Sequence, residues 1–152
     1  MHVYRIVKSE KRIKDLSGMG AFRAGGRWND KGTYVLYTSE NSSLAFLENL
    51  VHFDLEETPE DLYIIEISVK KDNLIYQIPE SDYPKDWLDK DNLACKIIGD
   101  QLFSDHKLFG IKVKSAVNQS EYNILLDPLF PGYHDLIEVI NVIKIPVDRR
   151  LI

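Results

Sequence analysis

Two stretches of this chain carry residue types that could do chemistry at a spacing that invites it. The first is Gly25-Gly26-Arg27-Trp28-Asn29, followed by Gly32 and by Tyr37-Thr38-Ser39. Adjacent glycines open backbone conformations closed to other residues and let a ligand approach the main chain. An arginine beside them offers a planar fork of donors suited to phosphate or carboxylate. The result is an anion-binding loop; the plainer alternative is a glycine-rich turn with a solvated Arg27. The second stretch surrounds Glu48, where Leu44, Leu47 and Val51 recur at helical spacing. At about 100° per residue, Glu48 lies roughly 40° from Leu44 and roughly 60° from Val51, so it borders the apolar stripe and is expected to be partly buried. Ala45 and His52, one turn either side, share its flank. Pairing with Arg27 would hold the carboxylate charged in a sheltered site, whereas the alternative is a rim glutamate that reaches solvent.

A polar cluster, Ser115-Ala116-Val117 and Glu121-Tyr122-Asn123, precedes Asp127-Pro128. Ser115 has no activating His-Asp set in the sequence, so it suits a hydrogen bond to a ligand better than nucleophilic attack. Gly18-Met19-Gly20 lacks a third glycine at position 23, and no Gly-Lys-Ser/Thr occurs, which removes the dinucleotide and phosphate-loop fingerprints. His2, His52, His106 and His134 have no metal-ligand spacing, and no metal is expected. Cys95, the single cysteine, reads as a small buried group on a helix and fits a reducing compartment.

These residues need a scaffold, and 152 residues suffice for one domain with one core. The hydrophobic fraction of 44% and charged fraction of 28% are those of a globular chain. The net charge of −5, with lysines and arginines scattered among acids, gives no reason to expect direct nucleic acid binding. No apolar run approaches the roughly 20 residues of a membrane span, and the first residues lack a signal-peptide core, so no membrane and a cytoplasmic location are expected. Strands are expected at Val3 to Val7, Tyr34 to Thr38, Leu62 to Val69, Leu108 to Val113, Tyr122 to Leu126 and Ile137 to Ile145, the last broken by Pro146. Helices are expected from an N-cap at Ser42 or Ser43 to His52 or Phe53, and from about Asn92 to Phe103 with Gly99 a weak point. A glycine-rich loop separates the first two strands, and an irregular segment with Pro79 and Pro84 ends near Trp87. Strands that outnumber helices without strict alternation indicate an α+β fold.

Taken in order, the segments Tyr4-Arg5, Gly25-Gly26-Arg27-Trp28-Asn29, Gly32, Val35 to Ser39, Ala45 to Glu48, His52, Ser115-Ala116-Val117, Glu121, Asn123, Asp127-Pro128 and Asp148-Arg149-Arg150-Leu151 resemble the RES-domain family. That family is named for its Arg, Glu and Ser positions and occurs as toxins beside Xre-type helix-turn-helix antitoxins. The resemblance spans nearly the whole chain, residues 1–152, and departs from the family near Lys114 and Asn118-Gln119, where a proline-rich segment is usual. It implies a single compact domain of the ADP-ribosyltransferase type that splits NAD at the nicotinamide–ribose bond, with water or phosphate as acceptor. NAD is then a substrate, and no cofactor is expected. On that mapping Arg27, Tyr37 and Glu48 are catalytic, and Gly26, Trp28, Asn29, Ser115 and Asn123 contact the substrate. Arg27 would hold the pyrophosphate, Tyr37 would wall the nicotinamide, and Glu48 would face the charge that develops on the ribose. Two rivals stand beside this. One is transfer of ADP-ribose to a macromolecule, for which Gln119-Ser120-Glu121 offers a Gln-x-Glu spacing; the other is a non-catalytic NAD-binding module.

Overall fold

The computed structural model describes residues 1–52 and 61–151. Its elements run β1 (His2–Val7), α1 (Met19–Ala24), β2 (Leu36–Ser39), α2 (Ser42–Leu50), β3 (Asp61–Val69), β4 (Ile75–Gln77), α3 (Leu93–Phe103), β5 (Gly110–Lys114), β6 (Tyr122–Leu126), α4 (Tyr133–Leu136) and β7 (Ile137–Pro146). The strands form a seven-stranded sheet in the order β4-β5-β6-β2-β1-β3-β7. All neighbours are antiparallel except β4 and β5. This is the α+β architecture expected.

The sheet is pinched at its middle. β1 pairs with β3 over six residues, and β2 pairs with β6 over four, but β1 meets β2 at the single pair Tyr4↔Ser39. The two halves therefore diverge between β1 and β2, and the space that opens there is the cleft described below.

Alternation along each strand fills both sides of the sheet. Ile124 and Leu126 of β6 join Val3, Val7, Ile65 and Ile67 in one cluster, while Leu125 turns to the other face with Trp28, Cys95, Phe103, Ile111 and Val113. Cys95 is buried as expected, and burial pushes its thiol up. A third cluster seats α2 on the sheet through Ala45, against Ile6, Leu62 and Val147. The small side chain of Ala45 permits that close approach.

Several local expectations are corrected. The N-cap of α2 is Asn41, whose Oδ1 accepts from the Leu44 N–H at 2.8 Å, because an amide one residue earlier reaches the orphan donor. The helix ends at Leu50, His52 follows in a turn, and Phe53 lies outside the described residues. Its buried face is Leu44 and Ala45, whereas Leu47 and Val51 are 38% and 59% exposed. Packing through Ala45 turns the helix, and Glu48, four residues after Leu44 and three after Ala45, faces the cleft. The glycine-rich loop contains α1, and β4 was not foreseen. The final strand keeps Pro146 at its end, which an edge strand tolerates.

Gly99 is a packing requirement where a weak point was expected. A Cβ there would run into the backbone carbonyl of Trp28, which lies directly on α3. Gly99→Ala should therefore lower stability by about 2–3 kcal/mol, the upper range for overpacking. Urea unfolding should show a reduced midpoint at unchanged m. An unaltered midpoint would mean that the Trp28 backbone does not bear on α3.

Candidate active site

The cleft has a volume of about 550 Å³ and is walled by both diverging strands, with Tyr4, Arg5 and Ile6 on one side and Leu36 to Ser39 on the other. Glu48 and Asn49 close it from α2, Val51 and His52 from the turn after it, Gly25 to Trp28 from the glycine loop, and Lys90, Asp91 and Lys96 from the approach to α3 and from α3 itself.

Glu48 is held by neutral donors. Its Oε1 accepts from Ser115 Oγ at 2.6 Å and from Asn123 Nδ2 at 2.7 Å. Ser115 is fully buried and fixed in turn by the N–H groups of Val117 and Asn118, which donate to its Oγ at 3.1 and 3.0 Å. Asn123 is fixed by Ser39, whose Oγ donates to Asn123 Oδ1 at 2.7 Å. Glu48 Oε2 has no hydrogen-bond partner among the described residues, so only one of the two carboxylate oxygens is held. Ser115 and Asn123, expected on the substrate, are placed on Glu48.

The glycine loop is shaped by Tyr37. The Tyr37 hydroxyl accepts from the Trp28 N–H at 3.1 Å and donates to Asn29 Oδ1 at 2.7 Å. A Cβ on Gly26 would stand 2.5 Å from that hydroxyl, which is why glycine is needed there. Gly25, at φ +75°, lies in the left-handed region and ends α1. Asn29 is fully buried, and its Nδ2 donates to the carbonyls of Ala21, Asp30 and Thr33. Trp28 is 2% exposed and packs edge-on to Tyr83, with ring centroids 5.7 Å apart. Asn29 and Trp28 both anchor the loop, and Trp28 also lines the cleft. Tyr37 and Gly26 remain on the cleft wall.

Arg27 does not pair with Glu48. Its Nη1 donates to the carbonyls of Trp87 and Asp89, at 2.6 and 3.2 Å, because the segment before α3 folds over the loop. Among the described residues no carboxylate lies within ion-pair distance of it. The cleft thus carries an anion at Glu48 and an uncompensated cation at Arg27.

Sequence reasoning gave no role to Arg5, Lys96 or Asp100, which line this cleft or hold its loop. Arg5 was quoted only as part of a resemblance, yet it lines the cavity, and its Nη1 donates to the Asp15 carbonyl at 2.6 Å. Burial first, then the neighbouring Arg12, lowers its pKa. Its signal was a charged residue sharing a strand face with the apolar Val3 and Val7. Lys96 and Asp100, four apart on α3, grip the loop from the other side: Lys96 Nζ donates to the Gly26 carbonyl at 2.5 Å, and Asp100 accepts from the Asp30 N–H at 3.2 Å. Glu121 accepts from Asn41 at 2.5 Å and from Asn118 at 3.1 Å, so it braces the start of α2. No group of three or more metal-ligating side chains is gathered among the described residues.

A carboxylate oriented by Ser and Asn and a carbonyl-held arginine line one cleft in the split of an α+β sheet. The RES domain model matches residues 2–148. The chain belongs to the RES domain family. It is 30% identical to "Toxin Res" of Yersinia enterocolitica over 152 residues, covering 99% of both chains. It is 31% identical to "Toxin Res" of Photorhabdus laumondii, over 100% of this chain and 97% of that one. Identity is also 31% over 120 residues to the "Prs ADP-ribosylating toxin" of a Sphingobium strain, covering 77% of this chain and 74% of that one. Among solved structures, the Mycobacterium tuberculosis MbcT–MbcA toxin–antitoxin complex contains a chain with the same fold, at a TM-score of 0.73 and 18% identity, over 95% of this chain and 84% of that one. The chain thus shares the α+β fold of that toxin–antitoxin chain. No helix among the described residues is long and apolar enough to cross a membrane.

Burial pushes the phenols of Tyr37 and Tyr133 well above the ordinary range. In the unfolded chain both ionise near pH 10, whereas the folded protein keeps them neutral. Their contribution to stability is therefore complete below about pH 10 and is lost as pH rises beyond it. In an ultraviolet titration, these two of the eight tyrosines should ionise last, together with unfolding. Ionisation of all eight in one step in folded protein would contradict the buried hydroxyl network.

Proposed function

We infer that this protein cleaves the nicotinamide–ribose bond of NAD, with water or phosphate as acceptor. The observation that carries this reading is the Glu48 carboxylate, with Oε1 fixed by Ser115 and Asn123 and Oε2 open, in a cleft whose other charged wall holds Arg27. Departure of nicotinamide leaves positive charge on the ribose, as in glycosidase transition states. A carboxylate already oriented toward that position stabilises the charge without reorganising. Arg27 supplies the complementary contact, a cation for the diphosphate, and Tyr37 shapes the wall between them. Ser115 and Asn123 act as positioning residues through Glu48.

On this reading the protein is the toxin of a toxin–antitoxin pair, acting in the cytoplasm and neutralised by an Xre-type helix-turn-helix antitoxin that covers the cleft. The relatives named as toxins, and the neighbour solved with its antitoxin, support that role. One relative's name favours a second reading, transfer of ADP-ribose to a macromolecule. Glu121, the acid of the Gln-x-Glu spacing, has both oxygens occupied by Asn41 and Asn118, which weighs against its use to activate an acceptor. Incubation with labelled NAD and lysate separates the two: free ADP-ribose or its phosphate indicates degradation, and label kept on protein or nucleic acid indicates transfer. Comparing turnover with and without phosphate identifies the acceptor.

Glu48→Gln should fold, bind NAD and lose on the order of 10²–10³ in kcat, about 3–4 kcal/mol of transition-state stabilisation. Turnover near the wild-type rate would remove Glu48 from the mechanism. Arg27→Lys should raise KM for NAD more than it lowers kcat, because an ammonium cannot make a bidentate contact with phosphate. Unchanged kinetics would return Arg27 to a purely structural role.

A further inference from the structure

Beyond Arg27, the glycine loop carries a second cation whose charge no acid cancels. Lys96 projects from α3, and its Nζ donates to the carbonyls of Gly26 at 2.5 Å and Asn29 at 3.4 Å. Among the described residues no carboxylate lies within ion-pair distance of it. An ammonium has three N–H donors. Two are directed to the loop, the third has no partner among the described residues, and Lys96 lines the cleft. Arg27 is in the same condition, with Nη1 on two carbonyls and its other nitrogens without partners among the described residues.

Two cations that line one cleft, each held by backbone carbonyl oxygens, are oriented without being neutralised. A group with two adjacent negative charges and several acceptor oxygens fits such a pair. A structural brace alone would not require a charge here, since a neutral donor would also hold the two carbonyls. Burying part of an ammonium without a counter-ion is unfavourable unless a bound anion compensates it.

Resting on the reading of the cleft as an NAD site, we propose that Lys96 is a further substrate contact which, together with Arg27, takes the diphosphate of the dinucleotide. Glu48 and the Arg27–Lys96 pair then fix the two ends of the ligand's charge pattern, cationic at the nicotinamide ribose and anionic at the diphosphate. Lys96 thereby selects for dinucleotides over nucleosides that lack the diphosphate.

The test uses Lys96→Met, which keeps the aliphatic stem, and Lys96→Arg, which keeps a cation. Calorimetry with inorganic pyrophosphate and steady-state kinetics with NAD are the two measurements. Lys96→Met should weaken pyrophosphate binding about ten-fold, the loss expected for one charge-assisted hydrogen bond. It should raise KM for NAD by a similar factor, and Lys96→Arg should recover most of both losses. Unchanged pyrophosphate affinity together with a fall in kcat at saturating NAD would make Lys96 a brace and overturn the proposal. Should the wild-type protein bind pyrophosphate, with Lys96→Met weakened, yet neither bind nor consume NAD, the NAD reading falls and the anion site stands. Wild-type protein that consumes NAD while Lys96→Met binds pyrophosphate and NAD as tightly overturns the Lys96 assignment alone, and binding of neither ligand overturns both.

Discussion

Tyr4 and Ser39 form the one register pair that joins β1 to β2, and the cleft exists because the pairing goes no further. Had the two strands paired along their length, the sheet would be continuous and Arg5, Tyr37 and Glu48 would have no common space to line. The pinch is also where the polar network begins. Ser39, at the bridge, orients Asn123, and Asn123 orients Glu48. The residue that holds the halves together therefore also sets the position of the carboxylate.

Glu48, Arg27 and Lys96 are handled in one consistent way. Glu48 is held by a serine and an amide, and Arg27 and Lys96 by backbone carbonyls. A direct ion pair between Arg27 and Glu48 would have cancelled the field that each presents to a ligand and closed the cleft across its middle. Neutral partners fix direction and leave charge available, which is the condition for electrostatic preorganisation. The anchors behind them are neutral too. Asn29, Trp28 and Tyr37 lock the glycine loop through hydrogen bonds and packing, and none of them contributes a charge of its own.

Close backbone approach matters as much as charge. Gly26 lets the loop lie against the Tyr37 hydroxyl, and Gly99 lets the Trp28 carbonyl lie against α3. Lys96, Gly99 and Asp100 form one face of that helix, so the same face that receives the loop backbone also grips it at Gly26 and Asp30. Helix α3 thus acts as the template on which the loop carrying Arg27 is laid.

The α+β class and most strand positions were legible in the sequence, because periodicity is a local property. Local patterning also marked Glu48 as a residue at the edge of an apolar stripe. It misjudged which stripe: Leu47 and Val51 are exposed, since the rotation of α2 was decided by Ala45 packing on β1 and β3. The partners of each site residue lie far away in sequence. Ser115 and Asn123 reach Glu48 across 67 and 75 positions, and Trp87 reaches Arg27 across 60. No periodicity encodes such distances, so the anchoring of the loop by Asn29 and Trp28 was not visible in the sequence. Sequence by itself determined which side chains were chemically capable; only the tertiary structure decided which of them share the cleft, because that depends on where two strands stop pairing.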